Sequence, residues 1–128
     1  MGAFSNYEEN AIIDHMLRGQ SFTPPTTVYL GLFTVTPGED NSGVEVSGGA
    51  YARQALTLDA ASGGATANTS AITFPTATAD WGTVAYFGIY DALTGGNLLM
   101  YGALTTSKTI GSGDTFKVNA GDLDITVD

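Results

Sequence analysis

Cysteine is absent, and basic residues are few: the 128-residue chain carries four, against thirteen acids, for a net charge of −9. Without cysteine there is no disulfide, zinc thiolate site, iron–sulfur cluster or thiol nucleophile to consider. Stability has to come from packing or from partner subunits. The four cations, Arg18, Arg53, Lys108 and Lys117, lie far apart in sequence. Direct nucleic-acid binding needs clustered cations that displace counterions from phosphates, so no nucleic-acid partner is expected. The acidic balance suits solubility and repulsion from anionic surfaces. Long apolar runs are missing as well. Nothing approaches the roughly 20 residues needed to cross a bilayer, and no membrane partner is expected. The start, "MGAFSNYEEN", lacks the basic beginning and apolar core of a signal peptide, and Asn6 stands where a myristoylation signal wants Ser or Thr. The expected place of synthesis and assembly is a cytoplasm.

Catalytic constellations are also thin. The one histidine, His15, follows Asp14. Adjacent helical residues point in different directions, so this pair does not make the oriented base of a triad. Thirteen acids on a small surface bring some carboxylate pair within catalytic distance whatever the function, and none stands in an apolar setting that marks a general acid. Asp80 beside Trp81 reads as a strand start. "GSGD" lacks the lysine and following helix of a phosphate loop. The "GEDN" run (38–41) and Asp122, Asp124 and Asp128 offer hard oxygen ligands for calcium, but the spacing of an EF-hand is missing. No cofactor and no metal site is expected, and the chain is read as not an enzyme.

What is present is a helix followed by strands. Ser5 and Glu8 have the spacing of a capping box. Glu8 and Glu9 at the start and Arg18 at the end match the helix dipole, and Gly19 closes it. The spacing predicts an amphipathic helix over about 6–18, with Ile12, Ile13, Met16 and Leu17 as its apolar stripe. A helix so short is marginal in water, so the stripe must dock on something. After Pro24 and Pro25 the pattern is β: 26–35, 51–58, 71–75, 83–91, 97–104 and two closing stretches, separated by Gly, Pro and Asn. "DWGTVAYFGIYDALTGGNLLMYGALT" (80–105) reads as two neighbouring strands joined at Gly95-Gly96-Asn97. Both faces of the first strand are apolar, which predicts a central position covered on both sides. The fold class expected is mainly β, an antiparallel sandwich, jelly-roll-like, of about eight strands with one N-terminal amphipathic helix, as one domain over 1–128.

Four segments carry a family likeness: "TPPTTVYLGLFT", "EVSGGAYARQ", "ITFPTATADWGTVAYFGIYDALTGGNLLMYGAL" and "GDTFKVNAGDLDITVD". Together they resemble a family of small tailed-bacteriophage virion proteins, usually labelled tail fibre or minor tail protein. "EVSGGAYARQ" and "FP…DWGTV" are the most specific of them. The resemblance implies a non-enzymatic structural subunit of a virion, assembled in the host bacterial cytoplasm. It would act as a tail-fibre adaptor, spike base or capsid decoration through multi-copy contacts with other virion proteins and with itself, a trimer being one such assembly. The rival reading is a sandwich module that binds a host-surface glycan through tyrosines and acids. The surface expected to meet neighbours comprises Tyr7, Ile12, Ile13, Met16 and Leu17, Glu39 in the loop 36–50, and Tyr51 and Arg53.

Overall fold

In the computed structural model, described over residues 2–127, the chain begins with β1 (Ala3–Phe4) and α1 (Asn6–Arg18). Then follow β2 (Val28–Val35), β3 (Val44–Glu45), β4 (Gln54–Leu56), β5 (Ala65–Ala67) and β6 (Ile72–Thr73). It ends with β7 (Gly82–Tyr90), β8 (Leu98–Ile110), β9 (Lys117–Val118) and β10 (Asp124–Thr126). The fold is mainly β and antiparallel throughout. The long strands form one six-stranded sheet in the order β1-β8-β7-β2-β3, with β4 also paired to β2. The second layer of the sandwich is two ribbons, β5–β10 and β6–β9.

Alternation along extended backbone explains the layering. Leu30 and Leu32 on β2 lie opposite Ile89 and Phe87 on β7. These four face the ribbons and share one buried cluster with Ile72, Phe74, Phe116, Leu123 and Ile125. The opposite face carries Phe33, Tyr90 and Leu98 as a second, smaller cluster. The strand 82–90 is thus central and apolar on both faces, as its composition predicts.

Two features depart from simple alternation. On β7 only Ala85 separates Val84 from Tyr86, whereas their partners on β8, Lys108 and Ala103, are separated by Leu104–Ser107. The extra residues bulge out of β8, and Val84, beyond this irregularity, is fully buried in the core cluster. The ten strands exceed the eight expected because β1, β3 and β5 are two- or three-residue pieces. β5 lies inside 60–70, which reads as a small-residue loop, and it exists only through pairing with β10.

The helix forms over Asn6–Arg18 with Ser5 as N-cap and Gly19, left-handed at φ 69°, as C-cap. Its capping box is half made. Ser5 Oγ accepts from the Glu8 N–H at 3.2 Å. The Ser5 N–H, which Glu8 would have capped in return, instead donates to the Leu99 carbonyl at 2.9 Å. Ser5 Oγ also donates to the Leu98 carbonyl. The cap therefore doubles as the bolt that fastens α1 to β8.

Candidate functional site

Two places gather the residues that sequence reasoning singled out. The first is α1. No residue of the helix is buried, and among the elements its backbone approaches only β1 and β8. Ile12 is half-buried toward the body, while Ile13, Met16 and Leu17 are 50%, 69% and 80% exposed. The apolar stripe thus points away from the fold over the C-terminal half of the helix. Tyr7 is also exposed. What holds this arm in shape is local: the two caps, an Arg18–Asp14 ion pair at 2.8 Å, and His15 Nδ1 against the Gln20 carbonyl at 2.9 Å. His15 therefore serves the helix end, with its ring tilted against Phe22.

The second is a polar knot around Arg53. The guanidinium grips Glu45 with two bonds, Nε to Oε2 at 2.8 Å and Nη2 to Oε1 at 2.9 Å. Its Nη1 donates to the carbonyls of Ala92 and Gly95 at 2.9 and 2.8 Å. Its plane lies 3.6 Å from the centre of the Tyr90 ring, and the Tyr90 hydroxyl donates to Asn41 Oδ1. Bidentate bonding and stacking together are a geometry that arginine fits and lysine does not. Arg53 is buried and Tyr51 half-buried.

Tyr51 fills a break in the sheet. The outer edge of β2 pairs with β4 at Val28–Leu30 and with β3 from Phe33 onward. Between them the Leu32 N–H donates to the Tyr51 hydroxyl at 2.9 Å, which donates to Glu45 Oε2 at 2.6 Å. Gly31 makes room for this, since a Cβ there would stand 2.9 Å from Glu45 Oε2. The Tyr51 ring stacks on Phe74 and meets Trp81 edge-on, with centroids 6.1 and 5.5 Å apart. Trp81 Nε1 donates to the Gly49 carbonyl at 2.9 Å. Gly49 has φ 57°, and a Cβ on it would come within 2.9 Å of the Trp81 nitrogen. The segments "EVSGGAYARQ" and "FP…DWGTV" thus meet in space and tie the loops to the sheet.

Burial and the Glu45 carboxylate push the Tyr51 phenol well above its ordinary range. Burial and the same carboxylate push Tyr90 up to about 12. Burial, and after it the charge of Asp91, hold the Glu8 carboxyl above the usual carboxylate range.

Glu39 is exposed, and its carbonyl accepts the Asn6 N–H at 2.9 Å, joining the loop after β2 to the start of α1. Among the described residues no group of three or more His, Cys, Asp or Glu is placed to hold a metal. Asp122, just before β10, and Asp124, on it, are both exposed, while Asp128 lies outside the described residues. A cleft of about 380 Å³ sits between Tyr7, Phe22, Pro25, Tyr29 and Asp91. Its acid is already engaged: Asp91 accepts from the Asn97 N–H and Nδ2 at 2.7 and 3.0 Å, closing the hairpin. No described helix is long and apolar enough to cross a membrane.

Residues 3–126 match the family model described as podophage GP4 fiber I protein gp80. The chain belongs to that family. Its role is structural, in a phage tail fibre, and its place is the virion. No curated protein matches the chain. Sequence reasoning singled out Tyr51 and Arg53 and weighed Asn41 only within the 38–41 run; it did not single out Glu45 or bring Tyr90 to them, and these complete the knot. A glycine, Gly31, inside an otherwise apolar β-branched and aromatic strand is the one signal that something bulky crosses there.

Proposed function

We propose that this fibre protein is a non-enzymatic adaptor subunit. It forms in the host cytoplasm as a single domain and joins its neighbours in the virion through the outward face of α1. The observation that carries this reading is the exposed stripe Ile13, Met16 and Leu17 on a helix none of whose residues is fully buried. A 13-residue helix with an unspent apolar face gains its stability by docking. Tyr7 and Glu39, both exposed beside the first turn of α1, extend that surface. Tyr51 and Arg53 serve it indirectly, by fixing the loops 44–54 and 91–97. The family match favours the tail over the head surface. Many modest contacts repeated around a symmetric particle give strong attachment without a single tight site.

The test is the double change Met16→Asp, Leu17→Asp. Both side chains are exposed, so far-ultraviolet circular dichroism and thermal melting should stay as in the parent. Association in sedimentation velocity and incorporation into particles should be lost. A variant that folds, associates and enters particles like the parent overturns the reading.

A further inference from the structure

A second apolar feature lies on the other side of α1. A cavity of about 250 Å³ opens beside its first turn, lined by Phe4, Val28, Leu58, Met100, Ile125 and Val127. An apolar cavity of roughly 150 Å³ holds a benzene-sized guest, so this one has room for the ends of a leucine and a methionine. Its one charged lining residue is Glu8. Because Ser5 spends its N–H on Leu99, the Glu8 carboxylate is released from capping, and among the described residues no cation reaches it. The chain therefore exposes an apolar hole with an unmatched negative charge. It also exposes an apolar knob, Met16 and Leu17, with a positive charge beside it. Arg18 is held only by Asp14 in a pair whose side chains are 62% and 48% exposed, a contact weak enough to exchange. The knob cannot fill the hole of its own copy. Leu17 lies roughly 14 Å along the same rigid helix from Glu8.

We infer that copies of this chain join head to tail, the α1 end of one copy placing Met16 and Leu17 in the Glu8 cavity of the next and Arg18 against Glu8. This deepens the adaptor reading and rests on it. Knob and hole are different surfaces, so the contact is heterologous. Each added copy keeps one of each, and growth continues until a ring closes or a filament forms.

The lack of cysteine makes a clean test. Leu17→Cys and Val127→Cys are placed together in the full chain, which is oxidised and run on a non-reducing gel. A ladder of dimers, trimers and larger species is expected from the double variant, with little from either single one. Glu8→Arg should cut the ladder roughly tenfold, and adding Arg18→Glu should restore it. Dimers from Leu17→Cys alone at the yield of the double variant would show arm-to-arm pairing and overturn the inference. So would a double variant that sediments as an oligomer yet forms no ladder. A monomer that still enters particles through α1 would overturn the inference and leave the adaptor reading standing. Particle entry unaffected by the α1 aspartates would end both.

Discussion

At the scale of single residues the knot around Arg53 is where one side chain does most. Its guanidinium joins β3 to the hairpin 91–97 and stacks on a tyrosine of the central strand. Removing it leaves Glu45 half-buried without its cation and frees two loop carbonyls. Arg53→Ala should therefore lower the unfolding free energy by about 3 kcal/mol in urea denaturation. Arg53→Lys should recover less than half of that, because a point charge neither stacks nor forks. The raised phenols of Tyr51 and Tyr90 have a consequence in alkali. An unfolded tyrosine loses its proton near pH 10, while Tyr90 holds it to about 12 and Tyr51 resists further. Above roughly pH 10 the native state binds more protons than the unfolded one. Stability should thus be unaffected below that pH and fall above it by about 1.4 kcal/mol per pH unit for each retained phenol. Absorbance at 295 nm should show two tyrosines ionising only as the fold is lost, and one in Tyr51→Phe.

At the scale of elements α1 is the least secured piece. Its N-cap serine holds both the helix and its attachment, through Glu8 N–H on one side and the carbonyl of Leu98 on the other. Ser5→Ala should cost about 1 kcal/mol and act locally. Amide exchange in the first turns should quicken about fivefold, with β7 and β2 unchanged in the same experiment. Equal acceleration throughout the molecule would show that the helix is not a separable arm. The other element of note is β8. An outer strand of thirteen residues invites pairing with a foreign strand. Here β1 covers Met100 and Tyr101, and the bulge at Leu104–Ser107 breaks the flat edge beyond. The other edge is split into two short pieces, β4 of three residues and β3 of two. The edges of the sheet are thus poor joints, which leaves the helix face as the joint on offer.

At the scale of the whole molecule, charge decides how the copies meet. With a net charge of −9, two copies repel each other at long range. One Arg18–Glu8 contact offsets little of this, and the apolar knob is small compared with a stable two-body interface. The association abolished by the Met16 and Leu17 aspartates should therefore be weak at roughly 0.02 M salt. It should tighten toward roughly 0.3 M, where repulsion between exposed charges is screened. Sedimentation across that range reads it directly. Association that weakens with salt would mean that ion pairs, rather than apolar surface, supply the joint.

The helix could be read from the chain to its last residue because its signals are local: Ser5 and Gly19 cap bonds within one turn, and Arg18 pairs with Asp14 one turn back. The strand centres were legible too, since alternation is a property of neighbours, and so was the central place of 82–90, whose two faces are both apolar. Short-range pattern does not encode what a residue meets across the fold. β5 reads as loop until β10 arrives to pair with it, and Val84 joins the core beyond a break in the β7–β8 register. Arg53 looks like a free cation until Glu45, Ala92 and Gly95 close around it. The stripe on α1 shows the limit most plainly. Sequence established that it is apolar and must be covered; only the tertiary structure decided that its own sheet does not cover it. The physical reason is that Ser5 fastens the helix by its first turn alone, leaving Met16 and Leu17 pointing outward.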